Sequence, residues 1–297
     1  RQYDRLFYKL DGVGYLPHER THLWKFDLKT GKGPQLTDHK VFDEESPFWS
    51  PDGKTIGVVS NRNPDPDANF YGIGIYTIPA NGGEITEVPT PKGSKAHPSF
   101  SPDGKWIAYY GVHCDKEEYL NDSLFIVPAD GSADPRNLTD AFDYHVSSWT
   151  INDLGTPEMM APLWSLDSKR ITFPVTYHGS SILKSVAVGG SDLKTVVDEG
   201  GVASGWTVDK AQKKMAYMWG HMYDPSQVAV QDLKTGKRTL LTTLNKDILG
   251  RATLSKVEEV WYIGGAGNDL QGWIMTPPDF DPAKKYPVVV HWYGGTG

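Results

Sequence analysis

Trp49-Ser50-Pro51-Asp52-Gly53-Lys54, followed by Ile56 and Val58, is the stretch that decides the fold. It has the chemistry of a tight hairpin. Pro sets φ at the first turn position, and Asp-Gly tolerates the positive φ that closes the turn. The aromatic before the turn and the aliphatics after it pair across two strands on one face. The unit recurs. Phe100-Ser101-Pro102-Asp103-Gly104-Lys105 leads into Ile107 and Tyr109, and Trp164-Ser165-Leu166-Asp167-Ser168-Lys169 leads into Ile171 and Phe173. A degenerate fourth copy reads Trp206-Thr207-Val208-Asp209-Lys210, with two extra residues before Met215.

A second unit alternates with the first. Leu23-Trp24-Lys25-Phe26-Asp27-Leu28, Ile75-Tyr76-Thr77-Ile78, Leu124-Phe125-Ile126-Val127, Val186-Ala187-Val188 and Val228-Ala229-Val230 each run into a Gly-containing turn. These segments read as strands closed by turns. The aromatic anchors fall at 49, 100, 164 and 206, in steps of 51, 64 and 42 residues. That is the size of a four-stranded propeller blade with variable loops. A solenoid would need more uniform steps, and a sandwich would not repeat one turn. The longest step contains Leu154 to Met160, read as an insertion or loop.

The expected fold is therefore all-β: an incomplete β-propeller over residues 1–255, of about five blades and starting in mid-pattern. The repeat resembles the PD40-type blade of TolB-like binding proteins and of the prolyl oligopeptidase family. After residue 250 the pattern changes. Val257–Tyr262 and Leu270–Met275 read as two strands, and Val288-Val289-Val290 ending in Tyr293-Gly294-Gly295 reads as a strand buried on both faces. Blades followed by "LQGWIMTPPDFDPAKKYPVVVHWYGG" resemble the passage into the α/β-hydrolase domain of the prolyl oligopeptidase (S9) family, so residues 256–297 are expected to hold its first strands.

The resemblance implies a serine peptidase acting on short peptides, of the dipeptidyl-peptidase or acylaminoacyl-peptidase type. Its propeller would gate access to a Ser-Asp-His triad. No Ser in this sequence has Gly two positions before and two after it, so the G-x-S-x-G elbow is expected beyond Gly297. Tyr293 matches the family's oxyanion-hole donor; Thr296 stands where the family often has Pro. The adjacent acids Glu44-Glu45 and Glu117-Glu118 are weighed against the amine-holding Glu pair of the aminodipeptidase branch and are expected on solvated loops instead. The alternative is a non-catalytic TolB-like propeller that binds a partner protein. A carbohydrate-active propeller would need convergent carboxylates, which one sequence cannot show.

The formal net charge of −7 argues against a nucleic-acid partner, and no apolar run approaches a membrane span. Cys114 is the only cysteine, which excludes an intrachain disulfide and a cysteine zinc cage. His18-Glu19-Arg20-Thr21-His22 matches the H-E-x-x-H zinc motif in letters, but Pro17 before it and a strand after it argue against the helix that motif requires. Asp65, Asp67 and Asn69 alternate as in a calcium loop, but Tyr76 stands where the closing Glu should be. Gly264-Gly265-Ala266-Gly267 reads as a hairpin turn. No metal or cofactor is expected. The expected partners are a short peptide and the remainder of the hydrolase domain, on the same or a separate chain. A homo-oligomer and a bacterial periplasmic or cytoplasmic location are left open.

Overall fold

A computed structural model describes residues 6–10, 14–69, 71–114, 120–148, 159–198 and 200–291. The chain divides into two compact units, residues 1–242 and 243–297, a division ahead of the 255/256 boundary expected from the sequence. None of the helices among the described residues is long and apolar enough to cross a membrane.

The first unit opens with a short ladder of β1 (Lys9–Leu10) and β2 (Gly14–Tyr15). Blade one follows: β3 (Glu45–Trp49), β4 (Thr55–Asn61), β5 (Ile73–Pro79) and β6 (Thr86–Val88), in spatial order β3-β4-β5-β6. Blade two repeats it with β7 (Lys95–Phe100), β8 (Trp106–Gly111), β9 (Ser123–Pro128) and β10 (Arg136–Asn137). Blade three comprises β11 (Leu163–Trp164), β12 (Arg170–Tyr177), β13 (Ser180–Ala187) and β14 (Lys194–Val197). Blade four comprises β15 (Val202–Val208), β16 (Lys214–His221), β17 (Asp224–Asp232) and β18 (Arg238–Leu240). One parallel pairing, Ser181 with Val202, joins blades three and four; among the described residues the other strand pairings of the blades are antiparallel.

The blades stack through apolar layers. Ile75 and Val88 of blade one meet Ile107, Tyr109 and Phe125 of blade two. Tyr110, Leu124 and Ile126 meet Ile171, Phe173 and Val175 of blade three, and Leu183 and Val197 meet Met215, Tyr217 and Ala229 of blade four. Strands β4, β8 and β9 are buried on both faces, which explains their near-continuous apolar sequences, whereas β16 and β17 alternate buried with less buried residues.

The repeated turn is built as expected from Ser, Pro, Asp and Gly. The Ser hydroxyl donates to the Asp two residues on, at 2.7 Å (Ser50–Asp52), 2.6 Å (Ser101–Asp103) and 2.6 Å (Ser165–Asp167). The position closing the turn has positive φ: Gly53 (68°), Gly104 (73°) and Ser168 (58°).

The fourth copy has a different register from the one its aromatic suggests. Trp49, Phe100 and Trp164 pair with Ile56, Ile107 and Ile171, and it is Val208, not Trp206, that pairs with Met215. Asp209 then takes the Ser position and Gln212, at φ 49°, the Gly position. The two extra residues disappear. Three inner strands also share a bulge, with Ser46 (φ 48°), His97 (φ 50°) and Gly205 (φ 55°) each three positions before the anchor. Pro47 and Pro98 follow the first two and bring no N–H to the ladder.

Two expected strands are not formed as such. Leu23 to Leu28 carries a single bridge, Trp24 with Gln35, and alternate backbone bonds to residues 32–36, so it is a loose hairpin. Among the described residues it pairs on that one side, whereas the corresponding strands β5, β9, β13 and β17 are paired on both sides. In the second unit, β19 (Val257–Ile263) and β20 (Asp269–Met275) form the expected antiparallel hairpin over the Gly264–Gly267 turn, after a short helix α1 (Lys246–Leu249). Residues 288–290, expected as a buried strand, pair with nothing among the described residues and are 84, 91 and 63% exposed. A parallel strand exists only through the neighbours that complete its hydrogen bonds.

Candidate functional site

The two ends of the blades differ in chemistry. At the end that carries the Ser-Pro-Asp-Gly turns, the acids are consumed locally. Ser50, Ser101 and Ser165 hold Asp52, Asp103 and Asp167 below the usual carboxylate range, and the backbone N–H of Lys214 does the same for Asp209. Asp27, Asp130 and Asp232 at the neighbouring turns are lowered by hydrogen bonds from Thr30, Ser132 and Thr235. Carboxylates bonded this way make turns; they do not take up protons near neutral pH.

The opposite end, where the inner strands begin and the longer loops lie, holds groups shifted by burial. Lys95, first residue of β7, is 3% exposed. Its ammonium donates to the carbonyls of Pro91 (2.6 Å), Ile73 (2.9 Å) and Gly93 (3.0 Å). Burial brings its pKa down to about 8. His113, just beyond β8, stacks on Phe125 at 3.7 Å and shares a 2.7 Å hydrogen bond with the Tyr109 hydroxyl. Burial first, and then the Lys95 charge, pull His113 down to about 4, so its ring is neutral at pH 7. Burial lifts Asp122 to about 6, and Asp122 lies 3.8 Å from His145 Nε2. The backbone at this mouth is tight: a Cβ on Gly93 would meet the Val112 carbonyl oxygen at 1.8 Å.

Beside it, blade one carries a buried ion cluster. The Glu44 side chain is fully buried and accepts from Arg62, from the Thr37 hydroxyl at 2.7 Å and from His22 at 3.1 Å. The Arg62 guanidinium lies 5.2 Å from each of the Phe42 and Tyr76 ring centroids. Arg20 bonds Asp43 at 2.8 Å. Shifted acids and bases gathered at one mouth are the pattern of a functional face, although ion networks that serve only the fold also produce it.

The candidates read from the sequence are distributed as follows. Tyr293, Glu117 and Glu118 lie outside the described residues. Glu44, expected on a solvated loop, is instead buried, and its carboxylate is committed to Arg62, Thr37 and His22. Its neighbour Glu45 opens β3, not a loop, and is exposed. His18 to His22 is not helical, and His22 turns to Glu44. Asp67 lies 3.9 Å from Arg20. Among the described residues no group of three His, Cys, Asp or Glu could hold a metal ion. Lys95, His113, Asp122 and His145 carry no motif. What could have found them is position: Lys95 opens an inner strand and His113 follows a middle strand of the repeat.

No protein-family model matches the chain. Dipeptidyl-peptidase 5 of Porphyromonas gingivalis is 26% identical over 254 residues, covering 83% of this chain and 34% of that protein. The chain thus spans about a third of the length of the curated relatives it matches. Among solved structures, the acylaminoacyl peptidase of Pyrococcus horikoshii superposes with a TM-score of 0.68 at 18% identity, covering 93% of this chain and 39% of that one. TolB from Acinetobacter baumannii superposes with a TM-score of 0.54 at 21% identity, covering 74% of this chain and 48% of that one. The first unit is 242 of 297 residues, so a 93% match must reach into the second unit, whereas a 74% match need not. With its repeated blades and the β19–β20 hairpin, the chain resembles the propeller-bearing peptidases of the prolyl oligopeptidase (S9) family, in sequence through dipeptidyl-peptidase 5 and in fold through these structures.

Proposed function

We propose that this chain is the propeller-bearing portion of a serine peptidase that hydrolyses short peptides by acyl transfer, of the dipeptidyl-peptidase or acylaminoacyl-peptidase type. The observation that carries the reading is the order of the parts: repeated blades, then the β19–β20 hairpin, then in the sequence the run to Tyr293-Gly294-Gly295. A propeller that only bound a partner protein would have no use for the residues after the last blade. In this reading the triad lies beyond Gly297, the propeller limits what reaches it, and the shifted groups around Lys95 and His113 border the substrate's path. Tyr293 donates its hydroxyl to the oxyanion of the tetrahedral intermediate. A donor aimed at developing charge contributes more to the transition state than to the ground state.

The test is made on the longest polypeptide that contains this sequence. It should be labelled by a fluorophosphonate and should cleave chromogenic dipeptidyl or acylaminoacyl substrates. Tyr293→Phe should lower kcat about 10²–10³-fold with little change in KM. A polypeptide that is neither labelled nor active overturns the peptidase reading. An active enzyme indifferent to Tyr293→Phe overturns the oxyanion role alone.

A further inference from the structure

Blades one and two carry one arrangement at the mouth with different groups, and the register aligns them residue by residue. Trp49 and Phe100 pair with Ile56 and Ile107, and Glu45 and Ala96 pair with Val59 and Tyr110. Glu44 and Lys95, one residue earlier, therefore hold one position of the repeat, and both are buried. Arg62 and His113 hold a second, each three residues past Val59 and Tyr110. Tyr76 and Phe125 hold a third, as the partners of Val58 and Tyr109. The ring contact is kept in both blades. The Arg62 guanidinium lies over Tyr76 at 5.2 Å, and the His113 ring stacks on Phe125 at 3.7 Å.

The charges are not kept. In blade one the base on the ring meets a carboxylate, Arg62 bonding Glu44. In blade two the same two positions are Lys95 and His113, both bases. The Lys95 ammonium is held by carbonyls, and among the described residues no carboxylate bonds it or His113. The acid that acts on Lys95 is Glu87, which is exposed and acts through space. A buried cation with no bonded counter-charge sets up a positive field around it.

Hydrogen bonding orients His113. Tyr109 is fully buried, and burial raises its pKa, so it stays a phenol. Among the described residues its hydroxyl has one partner, His113 Nε2 at 2.7 Å. A buried O–H finds an acceptor, so Tyr109 donates, Nε2 accepts and the imidazole proton sits on Nδ1. The half-buried ring thus offers an N–H donor near the Lys95 charge, and among the described residues nothing accepts from it.

We infer that the mouth of blade two binds the carboxylate of a short peptide, which accepts from His113 Nδ1 in the field of Lys95. The ligand supplies there the acid that Glu44 supplies in blade one. Hydrogen bonds to an ionised acceptor are the stronger kind. That the peptide is a substrate rests on the peptidase reading; that the site takes a carboxylate does not.

Nitrogen-15 NMR of the histidine rings in the full chain, titrated with acetyl-alanyl-alanine, tests it. The neutral control is the same peptide as its C-terminal amide, and acetyl-glutamine and acetyl-glutamate amides compare a side-chain carboxylate with its isostere. The free chain should show His113 as the Nδ1–H tautomer, and that nitrogen should shift saturably with one peptide per chain. The neutral ligands should bind at least about tenfold more weakly than their acids. His113→Phe keeps the ring contact and removes the donor, and should weaken the acid about tenfold or more. His113→Asn, whose amide N–H replaces the Nδ1 donor, should return affinity to within about threefold. An Nε2–H tautomer, no saturable shift at millimolar peptide, equal affinity for acid and amide, or binding indifferent to His113→Phe each overturns the assignment. Peptide binding by a polypeptide that takes no fluorophosphonate label keeps the site and removes the peptidase reading; labelling without peptide binding does the reverse.

Discussion

Replacing Glu44 by Leu should be among the most damaging single changes available in the first blade. The Glu44 carboxylate is fully buried and is the counter-charge of Arg62, whose side chain is 18% exposed. Removing one partner of a buried pair leaves a charge in low dielectric and costs about 3–5 kcal/mol. The Thr37 hydroxyl loses its acceptor as well, and it continues to serve the backbone N–H of Leu23. The stacking of Arg62 on Phe42 and Tyr76 is present before and after the change and so does not enter the difference. With a urea slope of about 3 kcal/mol/M, a loss of 4 kcal/mol moves the midpoint down by about 1.3 M. The decisive comparison is the double variant Glu44→Leu/Arg62→Met. Two apolar side chains of similar volume should be tolerated nearly as well as the ion pair, so the double variant should recover most of the loss. Tryptophan fluorescence during urea unfolding reads both. A single variant costing under about 1 kcal/mol, or a double variant as unstable as the single, would refute the argument that this is a buried charge pair.

Other predictions concern the mouth and the turns. Gly93→Ala places a Cβ against the Val112 carbonyl at φ 131° and should cost about 1–3 kcal/mol in the same unfolding assay. Asp209→Ala removes the acceptor for the Lys213 and Lys214 N–H groups, at 2.6 and 2.8 Å, and should cost about 1 kcal/mol. His113, held at about 4 in the fold, stays neutral while the unfolded chain takes up a proton, so its contribution is lost as pH falls from its ordinary value of 6.5 toward 4. Asp122, held at about 6, has the opposite sign and adds stability as pH falls from 6 toward 3.8. Urea midpoints across this window should therefore show a shallower acid loss in His113→Asn and a steeper one in Asp122→Asn; equal slopes in all three proteins would contradict both assignments.

Much of this protein was legible without coordinates, because its fold rests on local chemistry. Ser-Pro-Asp-Gly closes a hairpin by itself, the Ser hydroxyl and Asp carboxylate bonding within the turn. The aromatic and aliphatic positions around it could only be paired strands. Repetition of that unit implied blades, and the segment after the last blade implied a second kind of unit. Where the local signal weakened, the reading slipped. Trp206 looked like the fourth anchor because it is aromatic, but register is decided by pairing with the next strand, and that pairing selects Val208. Residues 288–290 looked like a buried strand because they are apolar, but burial is a property of neighbours. The mouth is wholly a tertiary product. Lys95, His113 and Glu44 carry no signal in the sequence, and their surroundings are carbonyls, rings and charges that arrive from residues 2 to 22 positions away.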